Sequence, residues 1–180
     1  MRIVTRVFLF FTLFFLSFGF PPCGIAASSS EPCDLPQGLR ELVAKRFPER
    51  KVEAISDLNE DDKAFYKKDH GIGCPGLVRV NFYGDQKPTL ALVLVGGTNP
   101  KTNAILVVAR RLDKDWETRV LQTADGFPVV WKERPGKYED VYKDKRITAA
   151  YPVVVLCGYE SWAILYAWTG KDVKKIWISD

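Results

Sequence analysis

The chain has 180 residues, 47% hydrophobic, 27% charged and 13% aromatic, with 26 Lys and Arg against 22 Asp and Glu. That length suits one domain and disfavours two. The apolar fraction and the five Trp exclude an intrinsically disordered chain, and 11 Pro with 13 Gly are too few for a collagen-like or low-complexity one.

Residues 1–6 carry Arg2 and Arg6 and no acid, 7–20 form a Phe-rich apolar run, and small residues follow from Cys23 to Ser28. This order predicts a cleaved secretory signal peptide over 1–27, ending at Ala26 or Ala27. An uncleaved anchor fits less well, because a spanning helix needs about 20 apolar residues. A lipid-modified Cys23 fits less well too, since Phe20-Pro21-Pro22 lacks the small residues usual before such a cysteine. Loss of Arg2 and Arg6 leaves 24 bases against 22 acids, a net charge of +2. A near-neutral balance gives no support for a nucleic-acid partner. No stable membrane span is expected after cleavage.

Three cysteines remain, Cys33, Cys74 and Cys157. An exported domain meets an oxidising compartment, so one disulfide and one free thiol are expected. Cys33–Cys74 would tie the N-terminal arm to the body, and Cys74–Cys157 would staple two strands. The first pairing is favoured, because Cys157 lies in a strongly apolar run where a free buried cysteine is common.

Residues 28–34 read as a flexible lead and 35–180 as a single globular domain. Asp34 as N-cap and Pro36 in the first turn open a helix that carries Leu39, Leu42, Val43 and Phe47 at helical spacing, and Pro48 stops it. Residues 51–56 alternate as a strand does. Asp57 with Glu60 resembles a capping box opening a second, polar helix that runs to about Asp69. Strands follow at 77–82, 89–95 and 104–109, the last two apolar on both faces and so covered on both. Further strands are expected at 116–122, 128–132, 153–157, 161–168 and 173–178, with a charged loop at 134–146. Short connections favour antiparallel pairing. The expected fold class is α+β: one or two N-terminal helices on a mostly antiparallel sheet of six to eight strands, with a half-closed barrel as the main variant.

The segment Asn81-Phe82-Tyr83-Gly84-Asp85-Gln86-Lys87-Pro88-Thr89-Leu90-Ala91 resembles the calcium-loop segment of FG-GAP and VCBS-type repeats. Asn81 and Asp85 match ligand positions, whereas Tyr83, Gln86 and Thr89 replace a ligand Asp, a turn Gly and the final Asp. The resemblance implies a β-structured extracellular interaction module. Calcium wants six to eight oxygens, so two matching side chains predict a retained hairpin without its metal. No other cofactor is expected.

His70, the single histidine, lies beside Asp69 and four residues before Cys74, the raw material of a Cys-His nucleophile. A histidine at a helix end is the plainer reading. Asp57, Glu60, Asp61 and Asp62 could supply paired glycosidase carboxylates, but acids in a helix's first turn are explained by its dipole. Residues 158–162 lack the G-x-S-x-G elbow, and Gly96-Gly97 lacks the Lys-Ser/Thr of a phosphate loop.

Aromatic placement is the least ordinary feature. On the 161–168 strand, Trp162, Ile164, Tyr166 and Trp168 share one face, which Trp177 of the next strand extends. Such a row suits a protein or sugar contact, or else a core face against the N-terminal helix. Trp131, Arg134, Tyr138 and Tyr142 form the second candidate surface. Together these patterns predict an exported, periplasmic or secreted, non-enzymatic domain that binds an envelope protein or glycan. The alternative is a hydrolase of envelope material that uses Asp57, Asp85 or Glu160.

Overall fold

A computed structural model describes residues 33–99 and 102–180. The expected signal peptide, Cys23 and most of the expected lead lie outside them. Among the described residues there are eleven strands and two short helices. Every strand pairing is antiparallel.

Helix α1 (Gln37–Arg46) buries Leu39 and Val43, one turn apart, together with Leu35 just before it. Burying side chains of this kind contributes about 1.5–3 kcal/mol each. Pro36, not Asp34, occupies the N-cap position, and its carbonyl accepts the Leu39 and Arg40 N–H groups at 2.9 Å. Asp34 instead pairs with Arg40, since its carboxylate sits too far upstream to reach the first turn's N–H groups. Helix α2 (Glu60–His70) is capped by Asn59, whose side chain accepts from the Asp62 N–H at 2.9 Å. The expected Asp57–Glu60 capping box does not form: Asp57 closes its own turn, accepting from the Ala54 N–H at 2.9 Å and from Lys51 at 2.6 Å. Three acids in the first turn of α2 and Lys67, Lys68 and His70 in its last complement the dipole.

The expected single sheet divides into two stacked ones, and no closed barrel forms. The first contains β3 (Thr89–Gly96), β4 (Ala104–Leu112) and β5 (Asp115–Ala124). Two three-residue strands, β1 (Arg50–Val52) and β2 (Leu77–Arg79), share the outer edge of β3. The second sheet runs β11 (Val173–Ser179), β10 (Trp162–Trp168), β9 (Val153–Gly158), β6 (Val129–Glu133). The charged 134–146 stretch is not simply a loop. It holds β7 (Gly136–Glu139) and leads into its partner β8 (Arg146–Ala149). Alternating Lys137, Glu139 and Arg146 hide the inward Tyr138 and Ile147 in a charged pattern.

Strict alternation assigns the faces. Ala91, Val93, Val95, Ala104, Leu106 and Val108 point at Val130, Val154, Leu156, Ile164 and Tyr166 of the other sheet. Their neighbours Leu90, Leu92, Leu94, Ile105, Val107 and Ala109 point outward under α1. The outer face of the second sheet is roofed by the β7–β8 hairpin through Ile147 and Ala149. α2 closes one end of the molecule over Leu58 and Val129 through Tyr66. This explains why β3 and β4 are apolar on both faces: each is an interior layer.

On one side the sheets join where the Val130 N–H donates to the Pro75 carbonyl at 2.8 Å. On the other side β5 and β11 remain separate edges. Gln122 bridges that gap, accepting from the Tyr166 hydroxyl and from Lys175 Nζ, each at 3.2 Å. Cys33 and Cys74 form the disulfide that fastens the N-terminal arm, and Cys157 is free.

Candidate functional site

The aromatic face of β10 lies inside the sandwich, against the other sheet and not against an N-terminal helix. Tyr166 is 1% exposed, so it is core and not available to a partner. The two tryptophans at the strand's ends are half-buried and lead in opposite directions. Trp168 meets the edge of Tyr83 at 5.2 Å, and Trp162 meets Trp177 at 6.3 Å.

The second candidate surface is also dispersed. Trp131 lies on β6 against His70, 5.1 Å between ring centres, and the imidazole also meets the Tyr66 ring at 5.2 Å. Its indole N–H donates to Glu133 at 3.0 Å. These groups line a shallow groove of about 440 Å³ with Asp69, Gly73 and Lys132. Tyr138 is half-buried under the hairpin, its hydroxyl donating to the carbonyl of the exposed Arg134. Tyr142 stands apart at the hairpin tip, 59% exposed, with its hydroxyl donating to the Asp180 carboxylate.

One member of each group meets at a single place. The Val141 N–H donates to the Trp177 carbonyl at 2.8 Å, so the hairpin tip is strapped to the end of β11. Val141, Tyr142 and Trp177 are all large, apolar and exposed there. Trp162 meets Trp177 there, and its indole packs on Gly158, where an added Cβ would sit 3.0 Å from Nε1. The result is an apolar, aromatic edge held by hydrogen bonds at both ends. Sequence reading named Tyr142, Trp162 and Trp177. It missed Val141 and Asp180, for which no local pattern exists, because a loop 36 residues away in the chain makes the contact.

The chemistry-bearing candidates are engaged elsewhere. Cys74 is in the disulfide and so unavailable as a nucleophile beside His70. The segment 81–91 holds the turn between β2 and β3 and the first residues of β3; the first strand of this hairpin ends at Arg79, before the segment begins. Asn81 Oδ1 accepts from the Gln86 N–H at 3.2 Å, and Asp85 is clasped by Arg110 through Nε at 2.9 Å and through a second guanidinium nitrogen. Arg110 also lies over the Tyr83 ring at 4.9 Å. Burial works against ionisation of Asp85, but the Arg110 hydrogen bonds outweigh it and hold the carboxyl below its ordinary value. Asp57 is likewise held low: burial opposes, and the hydrogen bonds from Lys51 and Ala54 prevail. Glu160 is exposed in the β9–β10 turn. Among the described residues, no three His, Cys, Asp or Glu side chains are placed to hold a metal.

One carboxyl behaves oppositely. Glu53, with no exposed surface, has neither side-chain oxygen hydrogen-bonded. Burial pushes its pKa up to about 9, helped by the nearby Asp57 and Asp62 charges. Burial also lifts the half-buried Cys157 thiol to about 11. Glu53 left no sequence signal, since it sits in an ordinary alternating segment.

No family model matches the chain, and neither the curated proteins nor the solved structures gave a match.

Proposed function

We propose that this chain is an exported, non-enzymatic interaction domain, periplasmic or secreted, that captures a protein of the cell envelope. The observation that carries this reading is the strapped edge, where Val141, Tyr142 and Trp177 expose 42%, 59% and 38% of their surface side by side. Contiguous exposed apolar groups rimmed by charge mark interaction sites, and Trp and Tyr are the residues that dominate binding energy there. The Cys33–Cys74 disulfide supports an oxidising compartment. No helix among the described residues is long and apolar enough to cross a membrane.

The hydrolase reading has less support. A general acid needs a raised pKa within reach of a cleft. Asp57 and Asp85 are shifted the other way by Lys51 and Arg110.

The test is capture from an envelope extract by the immobilised disulfide-bonded protein, alongside its Tyr142→Ala/Trp177→Ala variant. A protein retained in near-equal amount by the wild type and lost by the variant supports the reading. Equal retention by both, or selective retention of glycan, overturns it.

A further inference from the structure

Strand β11 ends the second sheet, and among the described residues no strand pairs with its outer edge. The direction of its peptide groups can be read from two bonds. The Trp177 carbonyl points away from β10, because it accepts from Val141 at 2.8 Å. The Asp172 carbonyl points the other way, because it accepts from the Thr169 N–H at 2.9 Å inside the β10–β11 hairpin. Peptide groups alternate along a strand. The N–H and C=O of Val173 and Lys175 therefore point outward with those of Trp177. Val141 already fills the position opposite Trp177, and the next two positions stay open.

The other free edge is treated differently. On β5 the outward Thr118 carbonyl accepts from Arg46 Nη1 of α1 at 3.0 Å, and the Thr118 hydroxyl oxygen from the same nitrogen at 2.7 Å. A helix thus covers β5, whereas among the described residues only the Val141 strap occupies the outer backbone edge of β11. Lysines mark the open edge. Lys174 is paired with Asp172 at 2.9 Å, whereas among the described residues Lys171 and Lys175 have no carboxylate in ion-pair reach, Lys175 Nζ meeting only the neutral Gln122 amide oxygen at 3.2 Å. A second copy pairing β11 against β11 would set these lysines against one another, and like charges across a strand pair repel.

We infer that the β11 edge accepts an extended, acidic peptide segment as an added strand, with Val173 and Lys175 supplying the backbone bonds, Lys171 and Lys175 the charge complement, and Trp177 the apolar anchor. This rests on the proposed interaction role and names its partner chemistry. Strand addition draws affinity from main-chain bonds and specificity from alternate side chains. An edge short by several residues gives modest affinity, so the interaction suits a segment tethered within a larger partner.

The test uses fluorescein-labelled hexapeptides titrated against the whole disulfide-bonded protein by fluorescence anisotropy. One alternates Glu and Val, a second alternates Lys and Val, and a third is the acidic peptide N-methylated on alternate amides. The acidic peptide should bind, the basic one should not, and N-methylation should abolish binding. Amide signals of Val173 and Lys175 should gain protection from exchange. Lys171→Glu/Lys175→Glu and Trp177→Ala should each weaken binding about tenfold or more. Equal binding of all three peptides, or no binding of the acidic one at about 1 mM, overturns the inference. If partner capture still depends on Tyr142 and Trp177 in that event, the interaction role stands and only the strand-addition mode falls.

Discussion

Gly76 is pressed against the backbone of Glu53. Its N–H donates to the Glu53 carbonyl at 3.1 Å, and a Cβ on residue 76 would lie 2.6 Å from that oxygen and 2.8 Å from the Glu53 Cβ. The Gly76 carbonyl accepts from the Val93 N–H at 2.9 Å, and the Val93 carbonyl from the Glu53 N–H at 3.0 Å. Three chain segments therefore interlock at one point: the end of β1, the middle of β3 and the turn that carries Cys74.

Gly76→Ala should destabilise the fold by about 1–3 kcal/mol, because the methyl group has only backbone to push against. Gly38→Ala is the matched control. It lies in α1 with only the Trp116 ring near its added Cβ, at 3.8 Å. Removing a helical glycine should stabilise by up to about 1 kcal/mol. Urea denaturation of both variants checks the pair, and a neutral Gly76→Ala would show that this junction yields.

Glu53 makes stability depend on pH in an unusual direction. Its folded pKa of about 9 lies above the ordinary 4.5, so between those values the folded state holds a proton that the unfolded state has lost. Stability from this group is complete below pH 4.5 and declines as pH rises toward 9. At pH 7 the loss is on the order of 3 kcal/mol, from 1.36 kcal/mol per unit. Thermal melting should therefore rise from pH 8 to pH 5, and Glu53→Gln should flatten that slope. Identical slopes in the two proteins would mean that Glu53 does not titrate as its burial requires. Loss of the low-pKa pairs, such as Asp85 with Arg110, sets in only as pH falls through the ordinary aspartate value of 3.8 and acts in the opposite sense.

The strands were legible because alternation along a strand is a local property. The face shared by Trp162, Ile164, Tyr166 and Trp168 follows from spacing alone. Which layer covers that face does not, because the covering residues Val93, Leu106 and Val108 lie in distant strands. A stripe that suits a contact surface equally suits a two-sheet interior, and only topology separates them. Helix caps failed for a related reason. Asp34 and Asp57 each had the right residue type, but both lie upstream of the true N-cap positions, Pro36 and Asn59, and pair with Arg40 and Lys51 instead. The apolar edge was half legible, through its aromatics, while the Val141 strap that completes it depends on where a hairpin tip lands.

The disulfide and the free cysteine should separate cleanly in stability and reactivity. The Cys33–Cys74 link joins residues 41 positions apart, for which a chain-entropy model gives about 4 kcal/mol. Cys74→Ser paired with Cys33→Ser should lower denaturant resistance by about 2–4 kcal/mol. Cys157 should resist iodoacetamide in the native protein at pH 8, because burial lifts its thiol pKa to about 11, and should react once the chain unfolds. Mass spectrometry of alkylated native and denatured samples reads both states. Rapid native labelling would show that the α2 end of the molecule opens readily.

Calcium provides the last test, at the hairpin that resembles a calcium loop. Asp85 would have to release Arg110 to bind a cation, and among the described residues the only carboxylate then left to Arg110 would be the more distant Glu117 at 3.6 Å. Asn81 would also have to surrender the Gln86 N–H, a bond that shapes the turn. Two ligands gained against two interactions lost, for an ion that wants six to eight oxygens, leaves no net attraction. Millimolar calcium or a chelator should therefore leave the melting temperature unchanged. Arg110→Ala should destabilise, since it strips Asp85 of its partner and Tyr83 of the cation over its ring. A calcium-dependent rise in the wild-type melting temperature would reverse this assignment and make 81–86 a working metal loop.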